Sequence, residues 1–302
     1  MVRSTLAGVH GMVFAAGLGT RLRPLTDVLP KPVVPLMNRP LASYSLERLA
    51  AAGVTRCVLN THYLADEVPR ALEGHVPPGV EVIFSHEPEL LGTGGGLRAA
   101  LERLGPTDEP ILVMNGDILF WPDLEAALAH HRALGAFATM ILRPDPRAAR
   151  FGAIETDARG RVRRILGTPA DVADPLKTQM FTGVHVLSPE VVAALPQQGC
   201  VIRGGYQQWL AEGRLVGGLT DEAPWRDLGT PREYLQAHLD LLSGALPWPS
   251  IEAGEGDVVL GRGTLVDPGV ELSRVVSWPG THVTASASDA ILAPHARVDV
   301  AG

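Results

Sequence analysis

The stretch from residue 11 to residue 32 constrains the fold and function of this chain more than any other. Residues 12–15 are apolar but too few to form a helix, so they predict a buried β-strand. Gly17 and Gly19 follow this strand. Glycines allow a backbone to lie against a phosphate without a Cβ in the way, and the N–H groups of such a loop can bind the anion. The stretch therefore predicts a phosphate-binding site.

Two cationic side chains, Arg21 and Lys31, belong to the same stretch. Cations held beside a phosphate-binding loop can neutralise the negative charge that builds up when a phosphoryl bond breaks. We therefore expect a nucleotide-phosphate site in which these two side chains take part in the chemistry.

Composition limits the class of protein. A chain of 302 residues suffices for one large domain with an appendage or for two ordinary domains, and its 46% hydrophobic and 20% charged residues are typical of a globular protein. No stretch approaches the roughly 20 consecutive apolar residues of a membrane span. The first ten residues lack the apolar run of a secretory signal. The net charge of −7 argues against a dedicated nucleic-acid-binding protein. We therefore expect a cytoplasmic protein with neither membrane nor nucleic acid as a partner.

Strands and helices alternate along the first half of the chain. Apolar spacing predicts helices at 41–53, 64–74, 97–104 and 123–134, and strands at 55–60, 80–84, 111–114 and 138–142. This alternation predicts an α/β fold with a doubly wound, mostly parallel sheet. Ligands of such a sheet bind at the carboxyl ends of its strands. Because the first glycine loop, a second glycine loop at 91–96 and Asp117 all follow strands, we group them into one site.

The pattern changes after residue 143. Strands at 151–155, 161–166 and 180–187, with a loop at 169–177, predict an antiparallel excursion from the sheet. Helices at 189–195 and 206–213, a strand at 214–219, and a helix to about residue 242 with Thr230 as its N-cap follow. The proline-rich segment 246–250 predicts a linker, which divides a nucleotide-binding domain at 1–246 from a tail at 247–302.

The tail has no helical periodicity. Glycines separate its short β-branched runs, and Val270 and Val276 lie six residues apart. Turns of about six residues are typical of a β-helix, so we predict a short left-handed β-helix-like tail of about two or three coils. An irregular tail packed on the sheet is the alternative. The open end of the coils would need a cover, either the main domain or a second copy of the chain in a homo-oligomer.

Residues 15–26, AAGLGTRLRPLT, and residues 30–32, PKP, resemble the signature of the sugar-1-phosphate nucleotidyltransferases, or nucleotide-sugar pyrophosphorylases. In that family a strand leads into A-A-G-x-G-T-R-L-x-P-L-T and then P-K-P, and this chain matches without a gap. The resemblance covers residues 10 to about 240 and implies a Rossmann-like nucleotidyltransferase domain. The second glycine loop fits the family's nucleobase-binding segment. The nucleotide-binding residues implied are Ala15, Ala16, Gly17, Gly19, Thr20, Gly92, Thr93 and Gly94.

Two aspartates extend the resemblance. Residues 115–117, NGD, resemble the family's strand-end N/S-G-D, and residues 225–230, WRDLGT, resemble its W-x-D-I/V-G-T. The resemblance implies that Asp117 and Asp227 bind Mg²⁺. Taken singly, an aspartate after a strand is more often a helix cap. Magnesium commonly takes one or two carboxylates together with phosphates and water, so two aspartates are chemically sufficient.

The reaction implied by the resemblance is nucleotidyl transfer from an NTP to a sugar 1-phosphate. The sugar phosphate attacks the α-phosphorus in line, and pyrophosphate leaves. Arg21 would hold the triphosphate and stabilise the leaving pyrophosphate, while Lys31 would lie near the α-phosphate. The attacking phosphate oxygen is already ionised at neutral pH, so no general base is needed, and positioning with charge neutralisation supplies the rate.

The sugar side departs from the family pattern. Residues 151–152, FG, fit the family's Y/F-G. Residues 181–184, FTGV, occupy the place of N-A-G-I/V; Gly183 is kept, while Phe181 stands at the asparagine position. The E-K-P whose lysine binds the sugar phosphate is absent, and Lys177, the only lysine besides Lys31, is our candidate substitute unless it is merely solvated. Glu155 would face either the cleft or water. The predicted sugar-binding residues are Asn115, Gly152, Glu155, Lys177 and Gly183.

The motifs lie closest to two branches of the family, those similar to mannose-1-phosphate guanylyltransferases and to N-acetylmuramate-1-phosphate uridylyltransferases. The tail favours the first. Uridylyl or thymidylyl transfer to another sugar 1-phosphate, such as glucose 1-phosphate, is an alternative. So is a non-catalytic regulatory subunit that binds a nucleotide sugar, although such subunits commonly lose the arginine, the lysine or the metal aspartates, which this chain keeps. A bifunctional protein with an acyltransferase tail is disfavoured, because the tail has too few coils.

Overall fold

The structure is a computed structural model that describes residues 8–148, 152–170, 172 and 175–300. Phe151, predicted to begin a strand beside the sugar, lies outside the described residues. The strands in chain order are β1 His10–Phe14, β2 Pro35–Leu36, β3 Arg39–Pro40, β4 Arg56–Thr61, β5 Glu81–His86, β6 Ile111–Asn115, β7 Ile118–Phe120, β8 Ala138–Arg143, β9 Ala153–Thr156, β10 Val162–Ile165, β11 Lys177–Leu187, β12 Val216–Thr220, β13 Trp225–Asp227, β14 Val258–Val259, β15 Leu265–Val266, β16 Leu272–Ser277, β17 His282–Val283, β18 Ala287–Ala293 and β19 Ala296–Asp299.

Helices cover the sheet. The α-helices are α1 Ala42–Ala51, α2 Glu67–Leu72, α3 Gly92–Leu104, α4 Leu124–Leu134, α5 Val191–Ala194, α6 Gln207–Ala211 and α7 Pro231–Ser243, with a π-helical turn at Ile202–Tyr206 and 3₁₀ helices at Thr20–Leu22, Leu25–Asp27 and Lys31–Val33. The predicted N-cap is confirmed, because the Thr230 side chain accepts a hydrogen bond from the Glu233 N–H at the start of α7. Within the described ranges, no helix is long and apolar enough to cross a bilayer.

The centre of the fold is a mixed, mostly parallel sheet. Strand β1 pairs in parallel with β4 on one side and β6 on the other, and β5 pairs in parallel with β4. Strand β11 runs antiparallel to β6 and β8, while β12 pairs in parallel with β8. The parallel strands therefore end at one edge of the sheet, where ligands of α/β proteins bind. The prediction of an α/β fold with a mostly parallel sheet is confirmed.

The antiparallel excursion is also present. Strands β9 and β10 form a hairpin, and β9 pairs with the beginning of β11. Lys177, expected at the end of a loop, begins β11 instead.

The prediction of a loop at residues 91–96 is wrong, because α3 begins at Gly92. Glycine is a poor helix former, so three in a row predicted a loop. The structure shows what offsets that cost. A Cβ on Gly94 would lie 2.6 Å from Pro196 Cγ, and a Cβ on Gly95 would overlap the Gln197 carbonyl oxygen. The glycines allow the first turn of α3 to lie against the segment 196–199.

A short antiparallel ribbon outside the main sheet positions both predicted metal ligands. Strand β7 follows Asp117 directly and pairs with β13 in a register that sets Ile118 opposite Asp227. The Leu228 N–H also donates to the Asp117 carbonyl oxygen over 3.3 Å. This ribbon brings two sequence segments more than a hundred residues apart to the same place.

The tail consists of short strands that pair mainly in parallel. Strand β16 lies between β14 and β18 and is parallel to both, while β15 pairs in parallel with β17. Val259, Val276 and Ile291 from these strands are buried in one apolar cluster with Tyr234 and Leu235 of α7. The tail is therefore packed on α7, beside β13.

Candidate active site

The Lys31 ammonium lies between the two aspartates predicted to bind metal. Its Nζ donates to Asp117 Oδ2 over 2.7 Å and lies 3.8 Å from Asp227 Oδ1. The Lys31 side chain is only 7% exposed. A buried ammonium is costly unless carboxylates compensate it, and here two carboxylates do so. Residues predicted from three separate motifs thus form one charged cluster.

Arg21 extends this cluster to the surface. Its Nη2 lies 4.0 Å from Asp227 Oδ2, and its side chain is 64% exposed. The glycine of the WRDLGT motif makes this approach possible, because a Cβ on Gly229 would lie 2.7 Å from both Arg21 Nη1 and Asp227 Oδ2. Arg21 is therefore placed where it can contact an anion that enters from solvent.

Burial shapes the electrostatics of the cluster. Desolvation raises the pKa of the Asp227 carboxyl above its ordinary value, and the nearby Asp117 carboxylate raises it further. The Lys31 ammonium opposes both effects and lowers that pKa. Two carboxylates share one buried ammonium in this cluster. A further cation bound here would therefore favour the ionised form of the Asp227 carboxyl.

A cavity of about 260 Å³ opens at the carboxyl ends of β1, β4, β5 and β6, beside this cluster. It brings together predicted residues from both glycine segments and from the NGD motif. Those that line it are Ala16, Gly17, Lys31, Gly92, Thr93, Asn115 and Asp117. A Cβ on Gly17 would meet open space, which leaves the backbone there accessible to a ligand.

Several predicted nucleotide-binding groups already have partners within the protein. The Ala15 N–H donates to Asn60 Oδ1 over 2.8 Å, and the Gly94 N–H donates to the Gly199 carbonyl over 2.7 Å. Gly19 has a φ of 63° and lies against Lys31, since a Cβ there would come 2.9 Å from Lys31 Cβ. Ala15, Gly19 and Gly94 are therefore not among the residues that line the 260 Å³ cavity.

Asn60 and Glu87 also line the cavity, and the sequence reasoning missed both. Glu87 is 1% exposed. Its Oε1 accepts from Asn60 Nδ2 over 2.7 Å, and its Oε2 accepts from the Leu91 N–H over 3.0 Å. The pair joins the end of β1 to the start of α3. Asn60 is the penultimate residue of β4, and Glu87 directly follows β5. The strand-end rule that selected Asp117 could therefore have found both residues.

On the sugar side, the structure brings only some of the predicted residues together. Gly183 packs against Asn115, since a Cβ there would lie 2.6 Å from Asn115 Nδ2, and its φ of 87° suits glycine. The Glu155 carboxylate, expected to face the cleft or water, is instead paired with Arg164, whose Nη1 donates to Glu155 Oε2 over 3.2 Å. Lys177 Nζ donates to Thr220 Oγ1 over 3.4 Å.

Gly152 lies at the start of the excursion with a φ of 105°, and a Cβ there would lie 2.7 Å from Leu166 Cδ2. Gly152, Glu155 and Lys177 thus belong to the β9–β11 region, and they are not among the residues that line the 260 Å³ cavity.

Asp117 and Asp227 fit a magnesium ion. Both are hard oxygen donors, and the Lys31 ammonium already occupies a position between them. Within the described part of the chain, no group of three or more acidic, histidine or cysteine side chains could hold a metal. A metal here would therefore rest on two carboxylates and take its other ligands from phosphates and water, which is the common arrangement for Mg²⁺.

Comparison with known proteins matches this architecture to one family. A family model described as nucleotidyl transferase matches residues 10–244. The chain belongs to this family, the sugar-1-phosphate nucleotidyltransferases. It is therefore an enzyme of nucleotide-sugar biosynthesis. The mannose-1-phosphate guanylyltransferase of Mycobacterium tuberculosis is 32% identical over 300 residues, covering 92% of this chain and 82% of that protein. The UTP–glucose-1-phosphate uridylyltransferase of Synechocystis is 29% identical, covering 87% and 76%.

Solved structures share the nucleotidyltransferase fold. The UDP-glucose pyrophosphorylase from Acinetobacter baumanii has a TM-score of 0.65 and 22% identity, covering 80% of this chain and 95% of that one. HddC from Yersinia pseudotuberculosis has a TM-score of 0.61 and 25% identity, covering 76% and 98%.

Proposed function

We propose that this nucleotidyltransferase transfers guanylyl from GTP to mannose 1-phosphate in the presence of Mg²⁺, releasing pyrophosphate and forming GDP-mannose. The observation that carries the proposal is the Lys31 ammonium held between Asp117 and Asp227 beside the glycine-lined cavity. With Mg²⁺ on the two carboxylates, this cluster would carry a net positive charge and would bind a triphosphate at the point where a phosphoryl bond breaks.

The protein's part in the reaction is positioning and charge neutralisation. The segment around Gly17 receives the triphosphate, and the exposed Arg21 guanidinium binds it and the pyrophosphate that leaves. Lys31 orients the α-phosphate for in-line attack by the sugar phosphate, which is already ionised. Mg²⁺ held by Asp117 and Asp227 would offset the negative charge of the phosphates.

Two observations support guanine as the base. Several relatives of this chain are named as mannose-1-phosphate guanylyltransferases or guanyltransferases. In addition, the Glu87 carboxylate lines the cavity, and each of its oxygens has accepted one hydrogen bond and can accept another. Guanine presents two adjacent donors, N1–H and the N2 amino group, whereas uracil presents one. The Synechocystis relative keeps UTP with glucose 1-phosphate as the second candidate pair.

We expect Glu87→Gln to lower kcat/KM for GTP by about tenfold while changing kcat/KM for UTP less, because an amide presents one acceptor where the carboxylate presents two. The ratio of the two kcat/KM values is the measurement. Glu89→Gln, an exposed neighbour two residues away, is the matched control and should leave the ratio unchanged. An unaltered ratio in Glu87→Gln would remove Glu87 from base selection.

We also propose that Lys177 binds the sugar phosphate in place of the absent family lysine, together with a sugar subsite formed by Asn115, Gly152, Glu155 and Gly183. Lys177→Ala should then raise KM for the sugar 1-phosphate about tenfold and leave KM for the NTP unchanged, since one charge-assisted hydrogen bond is lost. Arg159→Ala removes an exposed cation from the same excursion and serves as the control. Equal KM values for the sugar 1-phosphate in both variants would show that Lys177 does not bind the sugar phosphate.

We propose that the tail begins after a boundary at residues 246–247 and forms a β-helix-like stack. We also propose that the chain self-associates through the first strands of this tail. Leu260, Leu265 and Val266 are exposed, with Leu265 at 65%. Such residues on short strands favour pairing with a second copy. Leu265→Glu should lower the molar mass measured by light scattering relative to the wild type. A wild-type protein that is monomeric at every concentration would contradict this.

A further inference from the structure

The buried side-chain amide of Asn60 bridges the two segments predicted to bind the nucleotide. Asn60 is 3% exposed. Its Oδ1 accepts from the Ala15 N–H over 2.8 Å, where the first glycine segment begins, and its Nδ2 donates to Glu87 Oε1 over 2.7 Å. The second oxygen of Glu87 accepts from the Leu91 N–H, directly before α3. The ends of β1, β4 and β5 and the start of α3 are therefore joined by one continuous chain of hydrogen bonds.

Packing holds this chain of hydrogen bonds in one arrangement. The Glu87 N–H donates to the Thr61 carbonyl over 2.8 Å, and the Glu87 carbonyl oxygen lies 2.8 Å from His62 Nδ1. The backbone of α3 closes over the pair, since a Cβ on Gly96 would overlap Glu87 Oε1 and lie 2.9 Å from Asn60 Nδ2. The Glu87 carboxylate therefore cannot move relative to β4 without breaking several of these contacts.

The contacts of Asn60 explain why an amide stands at this position. An N–H group faces it on one side and a carboxylate faces it on the other, so the side chain must both accept and donate. A carboxylate here would set an acceptor against the Glu87 carboxylate. An apolar side chain would leave the Ala15 N–H and Glu87 Oε1 without this partner, which is costly for buried groups.

We propose that Asn60 is a positioning residue for nucleotidyl transfer. It fixes the separation between the phosphate-binding segment that begins at Ala15 and the carboxylate of Glu87. That separation decides whether a nucleotide bound at both ends has its α-phosphate at Lys31, which lines the same 260 Å³ cavity as Asn60 and Glu87. A misplacement of about 1 Å can lower the rate of a bound reactant by roughly a hundredfold. The inference rests on the proposed function for the places of the base and the α-phosphate.

Asn60→Ala removes both hydrogen bonds of the amide. We expect kcat to fall about tenfold with GTP and with UTP alike, while KM for the sugar 1-phosphate stays unchanged. Pyrophosphate release measures both constants, and each rate is divided by the folded fraction from circular dichroism. Asn38→Ala makes the same truncation in the turn between β2 and β3, outside the cavity, and should keep the wild-type kcat. An unchanged kcat per folded molecule in Asn60→Ala would show a merely structural role and overturn the proposal.

A double variant tests the same point if Asn60→Ala does not fold. Glu87→Gln alone must turn its N–H₂ group toward either the Asn60 amide N–H₂ or the Leu91 N–H, so that donor faces donor. Asn60→Asp/Glu87→Gln exchanges donor and acceptor and keeps the net charge. The new aspartate then accepts from the Ala15 N–H and from the new glutamine, whose oxygen accepts from the Leu91 N–H. We expect kcat about threefold above that of Glu87→Gln alone. A kcat no higher than that of Glu87→Gln would overturn the proposal.

The two nucleotides separate this inference from base selection by Glu87. The ratio of kcat/KM for GTP to that for UTP reports base selection, whereas kcat with each nucleotide reports positioning. An unaltered ratio in Glu87→Gln together with a lower kcat in Asn60→Ala would remove Glu87 from base selection and still support the role of Asn60. An altered ratio in Glu87→Gln with a wild-type kcat in Asn60→Ala would keep base selection and overturn the role of Asn60.

Discussion

Replacing Asp117 with asparagine is expected to lower kcat by about 10³-fold while the fold persists. The Asp117 carboxylate lies 2.7 Å from the Lys31 ammonium and faces Asp227 across it. Asparagine keeps the shape but removes the charge, so it can neither hold Lys31 by charge nor contribute an anionic ligand to a cation. The measurement is single-turnover pyrophosphate release, with circular dichroism as the check on folding.

The exposed Asp108, which precedes β6 at its opposite end, provides the matched control. Asp108→Asn makes the same chemical change on the far side of the sheet and should leave kcat unchanged. If Asp117→Asn kept wild-type turnover, the assignment of Asp117 to the reaction centre would be wrong.

Lowering the pH from 7 to 5 is expected to destabilise the protein by about 2 kcal/mol for each of three buried histidines. His131, His185 and His238 are each no more than 2% exposed. Burial lowers the pKa of His131 to about 4 and the pKa values of His185 and His238 to about 3. The unfolded chain binds protons at these residues below pH 6.5 while the folded chain does not, so stability is lost as the pH falls through that range.

Urea unfolding at several pH values measures this effect. Because domains are stable by only about 5–15 kcal/mol, the combined loss should bring the protein close to unfolding near pH 5. His185→Gln removes one of the groups that take up a proton on unfolding. The free energy of unfolding of this variant should therefore fall less steeply between pH 7 and 5 than that of the wild type. His86→Gln, at an exposed position, should leave that slope unchanged. A stability that does not change between pH 7 and 5 would contradict the buried, neutral state of these histidines.

The sequence could predict the parallel sheet because short apolar runs and helical spacing are local patterns. It could not predict that α3 begins at Gly92, since the close packing of Gly94 and Gly95 against Pro196 and Gln197 is a contact between distant segments. The meeting of Asp117 and Asp227 was implied by family motifs. Its physical cause, the register of β7 with β13, is tertiary and leaves no local signal.

The sugar side and the tail show the same limit. The engagement of Glu155 by Arg164 depends on the pairing of β9 with β10, which alternation alone does not determine. The cavity of about 510 Å³ lined by residues of β13, α7 and the tail joins six segments of the chain, and none of its residues belongs to a recognisable motif apart from the WRDLGT residues. Sequence motifs indicated the reaction. The positions of the side chains on the sugar side and around the tail, by contrast, follow from contacts between distant segments of the chain.

The most direct test is a pyrophosphate-release screen of the purified protein, with four NTPs against a panel of sugar 1-phosphates, with and without Mg²⁺. We expect Mg²⁺-dependent release that is fastest with GTP and mannose 1-phosphate. Release with UTP and glucose 1-phosphate instead would keep the reaction and correct the substrates. No release from any pair would contradict the central claim that the cluster of Lys31, Asp117 and Asp227 is a catalytic site.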